Sequence, residues 1–181
     1  MTELFVPDPN AFYNIHLKHN DKVLDYNNLS GVAISAQVIQ YTRRGGPLQM
    51  WSFVPVGGGW YQIRNRNAGL VLHCNGSMMD YVTLFGSIPG APVQQWRIIP
   101  SDAAGYFHLE HRAHGNVLDV FANLEENMAP IFVFGKGAAF KPGVQSQYCY
   151  FRLVQETNQE GHPGGGVNLD SPGPGPFVVG K

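Results

Sequence analysis

Seven histidines, two cysteines and thirteen carboxylates are the groups in this 181-residue chain that could do chemistry. His108, His111 and His114 have the types of a metal-binding set. They fall on a segment that reads as a strand, however, where positions 108 and 111 face opposite ways and cannot converge on one ion. His73 beside Cys74 has the types of a base and a nucleophile, but adjacent strand residues also face apart. Glu125-Glu126 reads as a solvated loop pair. No Gly-x-Ser-x-Gly elbow, phosphate loop or zinc-protease motif is present. The expectation is therefore a protein that is not an enzyme, with no catalytic residue, no metal and no cofactor. Asp25, His73 and Asp119 remain, and they recur at one position of a repeated phrase. Asp at such a place commonly caps a turn.

The elements that must position these residues come in three copies. Tyr13-Asn14-Ile15 is followed by Val23-Leu24-Asp25, Tyr61-Gln62-Ile63 by Val71-Leu72-His73, and Phe107-His108-Leu109 by Val117-Leu118-Asp119. Nine residues separate Ile15 from Leu24, Ile63 from Leu72 and Leu109 from Leu118. Each copy closes on a second phrase: Gln49-Met50-Trp51-Ser52-Phe53, Gln94-Gln95-Trp96-Arg97-Ile98, and Gln147-Tyr148-Cys149-Tyr150-Phe151. Recurrence at this period implies copies of one supersecondary unit around a shared core.

The repeats run from about Phe12 to Val56, Trp60 to Pro100 and Tyr106 to Val154. Gly57-Gly58-Gly59 and Ser101 through Gly105 are the joints. Each repeat predicts two strands across a polar turn: 18–22, 65–69 and 110–116. A third strand follows, at Val38–Tyr41, Val82–Phe85 and Ile131–Phe134, and a fourth carries the Gln phrase. Four strands taken three times give about twelve, and no long amphipathic helix competes. Trp51, Trp96 and the three glutamines are expected to be structural, the rings in the core and the amides bonded to nearby backbone.

Composition agrees with short strands and tight turns. Charged residues are only 14%, with 22 Gly and 13 Pro. A net charge of −1 gives no reason to expect a nucleic-acid partner. No stretch is long and apolar enough for membrane insertion. The start lacks the basic and apolar regions of a signal peptide, and two cysteines are too few for a disulfide framework, so the chain is expected to be cytoplasmic, or secreted without a signal peptide. Asn28-Leu29-Ser30 and Asn75-Gly76-Ser77 match the glycosylation sequon but carry little weight there. Residues 1–155 are expected to form one domain. A Gly/Pro-rich tail spans 156–181, with seven Gly and four Pro between Gly161 and Lys181.

Three repeats closing on Gln-x-Trp resemble the ricin B-type lectins, over about residues 12 to 154. The resemblance implies an all-β fold, the β-trefoil, with pseudo-threefold symmetry. The scarcity of cysteine is closer to cytoplasmic fungal lectins than to secreted plant toxins. In that family each repeat can hold a shallow sugar site: an acidic residue ends the second strand, an aromatic ring on the third stacks on the sugar, and an Asn precedes Gln-x-Trp. Carried over, Asp25 and Asp119 match the acid, with His73 between them, and Tyr41, Phe85 and Phe134 match the ring. Phe85 and Phe134 suit the core equally well. Leu48, Val93 and Ser146 replace the Asn. Asn27 and Asn28 could stand in for it in the first repeat, and Asn123, Glu125 and Asn127 in the third.

The resemblance also departs at Cys149, where Tyr148, Tyr150 or Phe151 is expected to fill the space of the absent Trp. It implies glycans or glycoconjugates as partners, of terminal hexose or N-acetylhexosamine type and galactose-like, with avidity from several sites or a homodimer. The rival reading is a protein-binding trefoil, such as a protease inhibitor with relic sugar sites.

Overall fold

The residues that recur in register are the ones the core takes up. Ile15, Ile63 and Leu109, with Leu24, Leu72 and Leu118, are each 2% exposed or less in the computed structural model, which describes residues 4–137 and 145–154. Burial of each such side chain contributes about 1.5–3 kcal/mol. These repeated positions are a substantial part of what holds the fold together, beside the buried Trp51, Trp96 and Phe53. The 156–181 tail expected from composition lies outside the described residues.

Twelve strands form: β1 (Tyr13–Leu17), β2 (Val23–Tyr26), β3 (Val38–Tyr41), β4 (Trp51–Gly57), β5 (Trp60–Asn65), β6 (Val71–His73), β7 (Thr83–Phe85), β8 (Trp96–Pro100), β9 (Phe107–His111), β10 (Val117–Val120), β11 (Ile131–Phe134) and β12 (Cys149–Leu153). Val82, expected to open the third strand of repeat two, lies one residue before β7. It nevertheless donates its N–H to Ile131 of the next repeat.

Six strands close a barrel. β1 pairs with β12 and β4, β5 with β4 and β8, and β9 with β8 and β12, so the ring returns to its start. The other six make three hairpins, β2–β3, β6–β7 and β10–β11. Bridges at Gln37↔Thr83, Ile39↔Pro130 and Tyr81↔Phe132 join the hairpins into a cap. This is the β-trefoil that the repeats imply. No helix among the described residues is long and apolar enough to cross a membrane.

Trp51 and Trp96 are fully buried, and their indole N–H groups donate to the carbonyls of Leu24 (3.1 Å) and Leu72 (3.4 Å). In the third repeat the Cys149 thiol instead contacts the Phe107 carbonyl at 3.3 Å. Tyr148 and Tyr150 do not fill the space of the missing indole. Their hydroxyls reach Asp102 and Asp21 on the exposed side of the molecule. Phe151 does turn inward, to the position that Phe53 holds in repeat one, and Phe5 stacks on it at 4.7 Å.

The seams between repeats carry a feature that the repeats alone did not suggest. Arg66 lies over Phe12 (4.6 Å), Arg112 over Trp60 (5.3 Å) and Lys18 over Tyr106 (4.3 Å). Each cation opens the turn after its repeat's first strand, and each ring stands at the start of the first strand of the repeat before, Phe12 and Tyr106 just ahead of it and Trp60 as its first residue. The same three residues donate their backbone N–H to the carbonyls of Met50, Gln95 and Tyr148, the second residues of the three Gln phrases. Every seam thus joins a backbone hydrogen bond to a cation–π contact, the latter worth about 0.5–1 kcal/mol when exposed.

Candidate functional site

The glutamine of each closing phrase is buried and latches the loop that follows the third strand. Gln49 donates to the Thr42 carbonyl and accepts from the Arg44 N–H; Gln94 does the same with Gly86 and Ile88, and Gln147 with Gly135 and Gly137. In two repeats the same amide also holds the acid of the second strand. Gln49 Nε2 lies 3.0 Å from Asp25 Oδ2, and Gln147 Nε2 lies 2.9 Å from Asp119 Oδ2. The other carboxylate oxygen accepts the N–H of Tyr26 or Val120, 2.7 Å away in both cases. Each oxygen has a second lone pair, so the pair keeps capacity for a ligand hydroxyl. Turn capping does not account for these aspartates, since they lie within β2 and β10.

In the first repeat Tyr41 is half-buried at the end of β3, opposite Val23 of β2, whereas Asp25 pairs with Ile39 two positions along the same ladder. The Arg44 guanidinium lies over its ring at 3.6 Å. Arg43 Nε donates to Asn14 Oδ1 (3.2 Å), and Asn14 Nδ2 donates to the Gln49 carbonyl (2.8 Å). Leu48 occupies the place of the Asn. Asn28 is exposed, and Asn27 caps the turn through the Leu29 N–H, so neither side chain is bonded to Asp25.

The third repeat supplies a different polar group. Ser146 Oγ donates to Asn123 Oδ1 at 2.6 Å, and Asn123 sits in a left-handed turn (φ 55°) just after β10. Asp119 is 1% exposed, and burial raises its carboxyl above the usual range against the hydrogen bonds it accepts, among them those from Gln147 and Val120. Phe134 is half-buried, 5.8 Å from Phe132. Asn127 leaves this repeat altogether: its Oδ1 accepts from the Thr42 N–H (2.9 Å) and hydroxyl (3.0 Å) beside the first-repeat site.

In the second repeat His73 packs against the exposed ring of Phe85 at 5.2 Å. Among the described residues no carboxylate meets Gln94; Gln62 Nε2 donates to its Oε1 at 3.3 Å, and the Ser87 hydroxyl donates to Gln62. Burial lowers the His73 pKa. Cys74 is buried, its thiol pushed up to about 11 and directed at the Asp80 carbonyl.

His108 and His111 face different neighbours. His108 Nδ1 meets the Gln147 carbonyl at 3.1 Å, whereas His111 packs on Trp96 at 4.8 Å. His111 also abuts Gly76, where a Cβ would come within 2.6 Å of the His111 and His114 rings. Among the described residues no group of three metal-ligating side chains converges.

The arrangement therefore presents two carboxylate–glutamine pairs with half-buried rings on the adjacent strands, and one neutral counterpart. Sequence reasoning missed Arg43, Arg44 and Asn14. The signal available for the two arginines was the basic pair one residue past the third strand; Asn14 had none.

A family model described as ricin-type beta-trefoil lectin domain-like matches residues 4–84 and 49–133. Among solved structures, the designed threefold-symmetric protein ThreeFoil is 29% identical, with a TM-score of 0.68, covering 77% of this chain and 96% of that one. An exo-beta-1,3-galactanase from Clostridium thermocellum is 27% identical with a TM-score of 0.70, over 83% of this chain and 31% of that one. The Macrolepiota procera ricin B-like lectin, solved in complex with lactose, is 16% identical with a TM-score of 0.65, over 83% and 98%. No curated protein sequence matches the chain.

Proposed function

The chain belongs to the ricin-type β-trefoil lectin-like family, and from that premise we propose that it binds carbohydrate without altering it. The observation that carries the reading is the twofold occurrence of a buried Asp held by the Gln of the closing phrase, Asp25 with Gln49 and Asp119 with Gln147. A carboxylate oriented in this way accepts sugar hydroxyls more strongly than a neutral acceptor would. Phe134 supplies apolar surface for the sugar's C–H face in the third repeat, while in the first the Arg44 guanidinium lies over the ring of Tyr41.

Terminal galactose-type sugars are the ligand class we favour, in the first and third repeats, with the second inactive. A shallow site binds weakly alone, and two sites on one chain or a homodimer raise avidity. Two buried free thiols suit a reducing compartment, in line with cytoplasmic residence.

A glycan array on the full chain tests this. Hits sharing one terminal sugar, lost in the Asp25→Ala/Asp119→Ala double variant, are expected. A blank array from folded protein would refute the reading. The rival, a protein-binding trefoil such as a protease inhibitor, is favoured by one observation: Leu48, Val93 and Ser146 stand where the family has Asn. Protease inhibition with no glycan signal would decide for it.

A further inference from the structure

The three repeats act as internal controls for one another, and they differ in charge at the loop that each glutamine latches. Two positions past the ring of the third strand stand Arg43, Ser87 and Lys136; three positions past it stand Arg44, Ile88 and Gly137. The repeat with His73 is neutral there, and both repeats with Asp are basic. Only the first repeat has two arginines.

Both arginines are fixed through the residue that holds Asp25. The Arg44 backbone donates to Gln49 Oε1 at 2.7 Å, and the Arg43 side chain reaches the Gln49 carbonyl through Asn14. Both are exposed, and among the described residues neither guanidinium pairs with a carboxylate. Arg44 lies on the very ring, Tyr41, that would stack a sugar. A guanidinium held over a ring can still direct N–H donors at a planar or tetrahedral anion. Uncharged hydroxyls gain far less from such a donor. The site thus sets one inward carboxylate, suited to hydroxyls, against two outward cations, suited to an anion.

Building on the lectin reading, we propose that the first-repeat site selects an acidic glycan, one whose carboxylate or sulfate engages Arg43 and Arg44 while its hydroxyls meet Asp25. The selectivity belongs to the first repeat, and the third, with Lys136 alone, discriminates less.

The test titrates the full chain with lactose, sulfated lactose and sialylated lactose at constant ionic strength, with inorganic sulfate as a separate titrant. Charged forms are expected to bind about tenfold or more tighter than lactose, the worth of one added charge-assisted contact. The gap is expected to close to within about twofold in R43Q/R44Q, to persist in R64Q on the exposed face of β5, and to narrow in high salt. Equal binding of lactose and the charged forms would overturn this inference and leave the lectin reading standing. So would a preference that survives in R43Q/R44Q, or inorganic sulfate binding as tightly as sulfated lactose. Failure of all three sugars to bind would remove the galactose-type reading and this inference together.

Discussion

Gln49 Nε2 stands 3.0 Å from Asp25 Oδ2 while its own carbonyl accepts from Asn14, so one buried amide residue links the acid, the first strand and the loop after the third. Gln94 makes the loop contacts without a carboxylate. The two glutamines therefore separate the latch from the acid-holding role.

We predict that Gln49→Ala destabilises the fold more than Gln94→Ala at neutral pH. Both lose the loop latch, but only the first strands a buried carboxylate, adding about 1–3 kcal/mol. Urea midpoints of the two variants measure the difference. Equal losses at pH 7 would show that the Asp25 contact adds nothing.

Binding should follow the same division. Asp25→Ala and Asp119→Ala are each expected to weaken glycan binding about tenfold or more, the scale of a lost charge-assisted hydrogen bond. His73→Ala should change it less than about twofold. Calorimetric titration against the best array hit decides, and equal effects at His73 and Asp119 would sink the site ranking.

Acid should loosen the protein through its histidines. Burial holds the pKa values of His16, His19, His73, His108 and His111 below the ordinary value. The unfolded chain then binds more protons than the folded one below about pH 6.5. Their contribution is complete above that value and is lost as pH falls through it. Asp119, whose pKa is raised, works in the opposite sense further down, where the folded state holds its proton more readily. Urea midpoints at pH 7.5 and 5.5 should show the drop. His111→Asn, which installs the residue that repeat two has at Asn65, should make it smaller.

Gly76→Ala is expected to be severely destabilising. The backbone there has φ +92°, and a Cβ would meet the His111 and His114 rings at 2.6 Å. Strain of this kind costs about 1–3 kcal/mol before the clash is added. A thermal melt should show a loss of several degrees, about 2–4 °C per kcal/mol for a domain of this size. Gly90→Ala is the control, with φ +75° but open space around it; similar losses in both would show that the rings are not what matters.

Much of this architecture was legible in the sequence because a repeat exposes what its core needs. Ile15, Leu24 and their counterparts recur at fixed spacing since each fills the same place in one barrel. The partners of polar side chains were less legible. Asn127 belongs to the third repeat in sequence but bonds Thr42 in the first, because the hairpins meet in the cap. Arg44 was unread as part of the first site because a guanidinium resting on Tyr41 is a tertiary contact with no periodic signature. Cys149 was visible as an exception, yet where the tyrosines beside it point depended on Asp21 and Asp102, which no local pattern links to them.

The pairing of β1 with β12, from Tyr13↔Leu153 to Leu17↔Cys149, has a consequence for how the molecule is made. A strand synthesised among the first must wait for one synthesised among the last, and the Lys18–Tyr106 clamp on the same seam waits with it. Until then a nascent chain of two repeats displays open sheet edges on β1 and on β8, the kind of edge that recruits another chain. Closing the circle therefore falls to the third repeat, whose β9 and β12 satisfy both edges when it arrives.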